Sequence, residues 1–275
     1  MAKIKICLDA GHYGKYNQSP VVPEYYESDM AWKLHLKLKT YLEEYGIKVI
    51  TTRKSQNENL GLTARGKKAE GCDLLLSIHS NAVGDKVNET VDYPIAFVPI
   101  SGSADELGEQ LAKCVEQIME TKQSGRAESK KSAKGNWDYY SVINGATSVG
   151  VPGIILEHSF HTNTKATKWL MSDSNLDKLA KAEAEVITRY FKITKKETET
   201  VIVDLPVLSI DMKSDAVTAL QTLLVGYGYS CGKAGADGDF GNNTFQALKS
   251  YQKDKGLTID GFCGANTWAS LLGIK

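Results

Sequence analysis

The chain has 275 residues, of which 42% are hydrophobic and 24% are charged, and its 33 basic residues equal its 33 acidic residues in number. This composition is typical of a globular protein with a sizeable core, and the length favours one large domain together with a small one. The zero net charge argues against proteins that bind nucleic acid or an anionic membrane mainly through a basic surface.

The first residues alternate between apolar side chains and lysines, which predicts a strand over residues 3–9. This stretch lacks the continuous apolar segment of an export signal, and no run of about 18 apolar residues occurs anywhere in the sequence. We therefore expect a protein that is made in a cytoplasm, without a signal peptide and without membrane insertion.

Strand-like and helix-like segments alternate over residues 1–192. Apolar residues at helical spacing predict a helix over residues 30–45 and a last helix over 176–191, with helix-like stretches around 60–70 and 103–121. The remaining strand candidates are residues 48–52, 74–79, 95–98, 140–143 and 153–157. The alternation predicts an α/β catalytic domain with a mostly parallel open sheet covered by helices on both faces.

A second domain follows a charged, Thr-rich stretch without periodicity, residues 193–206, which we interpret as a linker. Within residues 207–275, positions 237–248 and 260–271 form a repeat with an offset of 23 and share six of twelve residues. Each copy predicts an Asp-Gly turn, a second glycine with an unusual backbone angle, and an Asn/Thr helix start before buried Phe or Trp and Leu. A further helix at 217–225 completes a small all-α bundle.

Two of the five histidines end predicted strands, His12 after the first strand and His79 in the strand at 74–79. Ligands of open α/β sheets gather at the carboxyl ends of strands, so these two imidazoles can converge. A catalytic zinc site takes three protein ligands, and Glu27 at the start of the first long helix is the best-placed carboxylate. On spacing alone, metal ligand and first-turn helix cap are equally good interpretations of Glu27.

Glu157 ends an apolar strand, where a charged side chain faces a cleft, a metal or a partner charge, and where a general base would lie. An ordinary surface glutamate is the more common case, and the spacing does not separate the two. We interpret His35 as a residue at the edge of a helix face. We interpret His158 and His161 as wall or loop residues of a site, although either could touch substrate or replace a presumed ligand. There is no Gly-x-Ser-x-Gly motif and no cysteine in a reactive setting, so metal-assisted hydrolysis is favoured.

These residues belong to a set of motifs that occurs in order along residues 3–192. The set comprises Asp9-Ala-Gly-His12, Glu27-Ser-Asp29 at the start of a helix, Thr52-Arg53, residues 62–65, Ser77-Ile-His-Ser-Asn-Ala82, and Leu156-Glu157. It resembles the zinc-dependent N-acetylmuramoyl-L-alanine amidase family of the AmiC-like type. Residues 157–163 depart from that family, in which this stretch is usually apolar and contains glycine, and the substrate contacts there are left open.

The resemblance implies that His12, Glu27 and His79 bind zinc and that Glu157 is the catalytic acid/base. Residues 207–275 resemble the small helical peptidoglycan-binding domain, whose two turn motifs are nearly intact. Together the two resemblances imply a hydrolase that cleaves the amide between N-acetylmuramic acid and L-alanine, with Zn²⁺ as cofactor and bacterial peptidoglycan as partner. We expect a monomer of the phage or prophage endolysin type, which reaches the wall once the membrane is opened.

Three other functions stay open at this point. A zinc peptidase could cut within the stem peptide, because the same metal chemistry hydrolyses any amide. A sporulation or mother-cell autolysin would act on the same bond. A non-catalytic wall-binding protein is the third alternative, although such a protein has no physical need for all four metal-binding and catalytic residues.

Overall fold

The computed structural model describes residues 4–194 and 205–274 of the chain. Two compact units are present, Met1–Glu197 and Thr198–Lys275. The boundary between them falls in the predicted linker at 193–206, of which residues 195–204 lie outside the described residues.

Within residues 4–194, six strands form one sheet: β1 (Lys5–Ala10), β2 (Lys48–Thr51), β3 (Leu74–Asn81), β4 (Ile95–Val98), β5 (Arg126–Ser129) and β6 (Gly153–Phe160). Their order is β2-β1-β3-β6-β4-β5. The pairs β1–β2, β1–β3, β3–β6 and β4–β5 are parallel, and β4 pairs with β6 antiparallel. The predicted mostly parallel open sheet is therefore confirmed.

The helices of this unit lie on both faces of the sheet. They are α1 (Glu27–Glu44), α2 (Leu62–Lys67), α3 (Asp105–Met119), α4 (Ser141–Thr147), α5 (Thr164–Met171) and α6 (Asp173–Tyr190). Leu76 and Leu156 belong to the apolar cluster with α1, α3 and α6, whereas Leu75 and Ile155 belong to the cluster with α4. Successive strand residues point to opposite faces, so burial of both faces explains why β3 and β6 are almost continuously apolar.

The strand predicted over residues 140–143 is wrong, because Ser141–Thr147 forms helix α4. The run of aromatic and β-branched residues there suits a strand, but α4 packs closely against α2. A Cβ atom on Gly66 of α2 would clash with the carbonyl oxygen of Val142, so this approach requires glycine. Helix packing overrides the local preference of the segment.

Two elements of this unit were not predicted. Strand β5, at the edge of the sheet, contains Arg126 and Glu128 and lacks an apolar alternation. Helix α5 begins after Asn163, whose side chain accepts a hydrogen bond from the amide of Ala166 at 3.0 Å. This N-cap was a readable signal, since asparagine is among the preferred residues at that position.

The smaller unit is an all-α bundle, as predicted. Within residues 205–274 its helices are α7 (Asp215–Gly226), α8 (Asn242–Asp254) and α9 (Ala265–Leu272). They enclose an apolar cluster to which Leu220, Leu248 and Trp268 contribute. Cys231 and Cys263 are buried in the same cluster as free thiols.

A buried glutamine closes each copy of the repeat. Gln221 donates to the Asp237 carboxylate at 2.8 Å and accepts from the Gly238 amide at 2.8 Å. Gln252 makes the equivalent bonds in the second copy at 2.9 Å and 3.0 Å, and both glutamines are only 1% exposed. The predicted Asp-Gly turns are confirmed, with φ of 78° at Gly238. The first glutamine precedes both repeated segments and the second lies between them, so the repeat did not reveal them.

Two details of the repeat prediction are wrong. The second glycines, Gly241 and Gly264, have φ of −82° and −93°, which any residue adopts; each is the N-cap residue that precedes the predicted Asn/Thr segment at the start of α8 or α9. Trp268 is buried as predicted, whereas Phe245 is half-buried. Its ring packs so closely on Gly261 that a Cβ atom there would clash with it.

Candidate functional site

Side chains from three elements meet where β1 and β3 end. His12 follows β1, Glu27 opens α1 and His79 lies near the end of β3. One potential ligand atom from each lies within 4.8 Å of the other two. The carboxylate of Glu27 faces both imidazoles, with Oε2 at 3.1 Å from His12 Nε2 and Oε1 at 2.8 Å from His79 Nδ1. The structure thus brings together the three residues that the sequence singled out.

The backbone around His12 is shaped for this approach. His12 itself has φ of 58°, in the left-handed region, so the chain turns sharply after β1. A Cβ atom on Gly11 would lie 2.5 Å from Cε1 of the His79 ring and 2.6 Å from the carbonyl oxygen of Ile78. Only glycine leaves room for the ring at that position, which explains the third residue of the Asp-Ala-Gly-His motif.

A chain of hydrogen bonds orients the His79 ring. Its Nε2 lies 3.1 Å from Ser77 Oγ, and the Ser77 hydroxyl donates to Asp9 Oδ2 at 2.7 Å. Because Ser77 gives its one proton to the carboxylate, its oxygen accepts from His79, and Nε2 carries a proton. Nδ1 faces Glu27 and donates to its carboxylate in the absence of a cation; a cation would take the place of that proton, as in metal-binding histidines whose other nitrogen donates to a fixed partner.

The arginines and the threonine of the motifs bind Asp9 and the backbone near His12. Thr52 Oγ1 donates to the buried carboxylate of Asp9 at 2.5 Å, and Arg65 Nη1 lies 3.7 Å from that carboxylate. Arg65 Nη2 also donates to the carbonyl oxygen of His12 at 2.9 Å. Arg53 Nη2 donates to the carbonyl oxygen of Ala10 at 2.6 Å. These side chains hold the backbone that carries His12 and do not themselves enter the site.

Glu27 is 2% exposed and its carboxylate is fully engaged. Besides the two imidazoles, Asn17 Nδ2 donates to Oε2 at 2.6 Å and the Ser80 amide donates to Oε1 at 3.1 Å. Burial alone would raise the pKa of Glu27, but the hydrogen bonds with His12 and His79 outweigh burial and hold the pKa well below its usual range. The partners of this carboxylate all lie outside α1, so capping of the helix does not account for this residue.

Glu157 of β6 stands in register with His79 of β3 and lines the same cavity as the three converging residues. Its Oε2 atom is buried and has no hydrogen-bond partner among the described residues. Burial, and after it the negative charge of Glu27, raises the pKa of Glu157 to about 8. A carboxylate with a free oxygen and a raised pKa beside a ligand set is suited to moving protons.

The cavity has a volume of about 340 Å³. Its walls combine apolar and polar side chains: His12, Asn17, Glu27, Leu62, His79, Ser80, Asn81, Ala82, Tyr140, Ser141, Val142, Ile155, Glu157 and His161. Two imidazole nitrogens and one ionised carboxylate on one side of such a cavity form the donor set of a catalytic zinc site, in which a further position stays open. The residues present therefore fit zinc.

The other histidines take different places. His35 is 1% exposed inside α1, with Nδ1 2.5 Å from the carbonyl oxygen of Trp32, so it is a core residue and not the edge residue that we predicted. His161 lines the cavity, as predicted, and its Nδ1 lies 3.0 Å from the carbonyl oxygen of Ser80.

His158 was predicted as a wall or loop residue, and this is wrong. The residue belongs to β6 and is fully buried. Its Nε2 lies 2.7 Å from Glu183 Oε1, and its Nδ1 lies 2.9 Å from the carbonyl oxygen of His79. Burial lowers the pKa of His158, but the charge of Glu183 and the hydrogen bonds with Glu183 and the His79 carbonyl together outweigh burial, and the pKa lies above its ordinary value.

Sequence reasoning missed Asn17 and Tyr140. Asn17 has φ of 52°, donates to Glu27 and lies 3.2 Å from His12 Nε2. Asparagine is the residue that most readily adopts this backbone angle after glycine, so a loop asparagine between two candidate ligands was a usable signal. Tyr140 lines the cavity because it precedes α4, which the strand prediction at 140–143 obscured.

A second cavity, of about 380 Å³, lies within the smaller unit. We call it the second-copy groove; its lining residues are Gly256, Leu257, Thr258, Asp260, Phe262, Gly264, Ala265, Asn266 and Thr267. Phe262 is 51% exposed there. The corresponding residue of the first copy is Asp239, whose carboxylate pairs with Lys213 at 2.7 Å. The two copies share their turns but differ in the surface that they present.

Comparisons with known proteins match the two units to two different families. Residues 6–189 match the family described as N-acetylmuramoyl-L-alanine amidase, and residues 213–271 match the family described as putative peptidoglycan binding domain. The chain is 25% identical over 220 residues to the N-acetylmuramoyl-L-alanine amidase CwlM of Bacillus licheniformis, covering 78% of this chain and 80% of that protein. It is 28% identical over 200 residues to the endolysin of Bacillus phage SPP1, covering 71% and 69%.

Solved structures resemble the larger unit. An N-acetylmuramoyl-L-alanine amidase from Clostridium difficile 630 has a TM-score of 0.59 at 21% identity and covers 70% of this chain and 98% of its own. The catalytic domain of CwlV from Bacillus (Paenibacillus) polymyxa var. colistinus has a TM-score of 0.55 at 22% identity, with coverage of 70% and 99%. At these identities the likeness establishes the fold.

Proposed function

Because the chain belongs to the N-acetylmuramoyl-L-alanine amidase family, we propose that its larger unit hydrolyses, with the help of a zinc ion, the amide between N-acetylmuramic acid and L-alanine in peptidoglycan. The observation that carries this proposal is the convergence of His12, Glu27 and His79 in one cavity with the partnerless carboxylate of Glu157.

His12, Glu27 and His79 would hold the ion. Zinc bound there supplies Lewis-acid polarisation of the amide carbonyl and lowers the pKa of a coordinated water. The protein's contribution is to present three donors in advance: a buried ionised carboxylate, a His79 ring fixed through Ser77, and a His12 backbone fixed by Arg65. Such preorganisation avoids the cost of ordering these groups during the reaction.

Glu157 moves the proton. As a base its carboxylate accepts a proton from the attacking water, and as an acid it returns that proton to the nitrogen of L-alanine. The second transfer is needed because an amide nitrogen is a poor leaving group until it is protonated. Burial and the negative charge of Glu27 raise the pKa of Glu157 in the site without a cation. A cation bound to Glu27 would offset the second cause and favour the carboxylate form, which accepts the proton.

We assign the smaller unit the task of holding the enzyme on the wall. The family match over residues 213–271 supports peptidoglycan as its ligand. The second-copy groove is the attachment surface that we propose, because it offers an exposed aromatic ring, Phe262, beside amide, hydroxyl and backbone groups. Mixed apolar and polar linings of this kind suit a neutral sugar or peptide ligand.

A role in wall lysis, as a phage or prophage endolysin, is supported by the similarity to the phage endolysin. One chain supplies all four proposed metal-binding and catalytic residues, so the proposed site needs no second copy, and the monomer stays a proposal. Among the described residues, no helix is long and apolar enough to cross a membrane.

Product analysis tests the proposed reaction. Purified peptidoglycan is digested with the full chain, and the released termini are identified by mass spectrometry. We expect new free amino groups on L-alanine and intact glycan strands. Cleavage between two residues of the stem peptide, with L-alanine still attached to the sugar, would instead make the protein a zinc peptidase and overturn the proposal.

A further inference from the structure

The pairing of β3 with β6 is irregular beside the candidate metal centre. The register runs evenly from Leu75↔Gly153 to His79↔Glu157 and then shifts, so that Asn81 pairs with Phe160. Strand β6 therefore has one residue more than β3 in this interval, which is a bulge. Ser159 within it has φ of 65°, a strained value for a residue other than glycine.

The side chain of His158, which lies in the bulge, binds the backbone of the opposite strand. Its Nδ1 donates to the carbonyl oxygen of His79 at 2.9 Å, and since a carbonyl can only accept, Nδ1 carries a proton. The other ring nitrogen, Nε2, lies 2.7 Å from Glu183 Oε1 on α6. Both side chains are fully buried, so this ring ties α6 to the end of β3.

The same peptide group is held at its other end by a proposed metal ligand. The Ser80 amide, which belongs to the peptide whose carbonyl is that of His79, donates to Glu27 Oε1 at 3.1 Å. That oxygen is also the one that faces His79 Nδ1 at 2.8 Å. A rotation of this one peptide would therefore displace both the His79 backbone and the hydrogen bond that fixes the Glu27 carboxylate.

We propose that His158 and Glu183 are positioning residues of the zinc site, which fix the peptide between His79 and Ser80 and thereby set the arrangement of His79 and Glu27. The inference rests on the proposed function, because it assigns these two residues to the metal that this function requires. Neither residue lines the cavity, so neither touches substrate.

Stability does not account for the pair. Replacing a buried ion pair with apolar residues of similar volume is often neutral or stabilising. Glu183 has a further disadvantage, because its Oε2 atom is buried without a partner among the described residues. The bond that links the pair to function is the one from His158 to the carbonyl of the metal-binding residue.

Two matched double variants of the full chain isolate that bond. His158→Asn with Glu183→Leu keeps a donor, because the Asn Nδ2 atom stands as many bonds from the backbone as the His Nδ1 atom. His158→Leu with Glu183→Leu has nearly the same shape and no donor. Both remove the buried charge, so they differ in the hydrogen bond to His79 and in the amide oxygen that asparagine adds. Zinc affinity is measured for each by competition with a chelator, and turnover at saturating zinc is measured alongside.

We expect the variant with leucine at position 158 to bind zinc about 10- to 100-fold more weakly than the variant with asparagine, the usual loss when a residue that supports a metal ligand is removed. Equal zinc affinities would overturn the inference. If the double leucine variant does not fold, His158→Gln replaces it, since its longer side chain keeps the contact with Glu183 and withdraws the donor from His79. The same loss is expected there, and zinc affinity equal to that of the wild type would overturn the inference as well.

The two proposals fail differently. A wild-type chain that binds no zinc would refute the metal assignment in the proposed function. A wild-type chain that binds zinc, with variants that bind it equally well, would refute only the positioning role of His158 and Glu183.

Discussion

Polar side chains are buried at sharp bends of the backbone in two regions of the molecule. One is the end of the sheet in the larger unit, and the other is the pair of repeated turns in the smaller unit. In the repeated turns, the side-chain amides of Gln221 and Gln252 donate to the Asp carboxylate and accept from the Gly amide of the turn. At the end of the sheet, the hydrogen bonds orient the donor atoms of His12, His79 and Glu27 toward one point.

The comparison shows how similar buried networks serve different purposes. In the smaller unit, the hydrogen bonds of each glutamine amide end on the turn or on a threonine of the helix that follows it, so the network stabilises the fold. In the larger unit, the network behind His79 ends on a ring nitrogen that can bind a cation, and Glu157 Oε2 has no partner among the described residues. Substitutions in the network of the larger unit should therefore change zinc affinity or turnover, whereas substitutions in the network of the smaller unit should change stability.

The largest effect is expected at Glu157. In Glu157→Gln the shape is kept but the proton can no longer be moved, so turnover on purified peptidoglycan should fall by about 10²–10⁴-fold. Zinc content and thermal stability should stay close to those of the wild type, because Oε2 supports no other group. Atomic absorption and thermal unfolding check this. A variant that keeps its turnover, or loses its zinc, would contradict the role assigned to Glu157.

Gly11→Ala should disrupt the metal site without touching a ligand. The added methyl group would lie 2.5 Å from the His79 ring, so the ring must move. We expect zinc affinity to fall by about 10- to 100-fold, as for other changes that displace a metal ligand.

Gly61→Ala is the matched control, because a Cβ atom at Gly61 meets nothing within 4 Å and its φ is −61°. Chelator competition measures both variants. Similar zinc affinities for the two would show that the close approach of Gly11 and His79 does not matter for binding.

The glutamines of the smaller unit should affect stability alone. Gln252→Ala removes the partner of the second turn and should destabilise the smaller unit by about 1–3 kcal/mol, the range for leaving buried polar groups unsatisfied. Gln246→Ala, on the exposed side of the same helix, is the control. Hydrogen exchange resolved by residue locates the loss. Reduced zinc affinity in Gln252→Ala would contradict the separation between the two networks.

The smallest effect is expected in the second-copy groove. Phe262→Ala should weaken sedimentation with purified walls by roughly tenfold, the scale of one well-placed aromatic contact. Ile259→Ala is a suitable control, because Ile259 is similarly exposed at 49% and does not line the groove. Equal wall retention by the two variants would move the attachment surface elsewhere.

Much of the fold could be predicted because its signals are periodic. The strands β1, β3 and β6 are apolar runs buried on both faces, and α1 and α6 repeat their apolar residues at helical spacing. Helix α4 was missed because its packing depends on Gly66, which is far away in the sequence.

The candidate ligands could be predicted because they end strands or begin a helix, where open α/β sheets collect their ligands. The contacts by which other residues support these ligands could not be predicted. Asp9 lies 68 residues before Ser77, and Glu183 lies 25 residues after His158. Asp9 and Ser77 belong to the motif set, but hydrogen bonds between positions so far apart leave no periodic trace in the sequence, so only the structure shows how Asp9 supports His79.

X-ray absorption spectroscopy of the full chain loaded with one equivalent of zinc tests the central claim most directly. We expect one zinc per chain, surrounded by nitrogen and oxygen atoms, with the scattering signature of two imidazoles. In His79→Ala one imidazole should disappear from that signature. Zinc that fails to bind in stoichiometric amount, or that binds through the sulfur of a cysteine, would contradict the assignment of His12, Glu27 and His79 as the metal ligands.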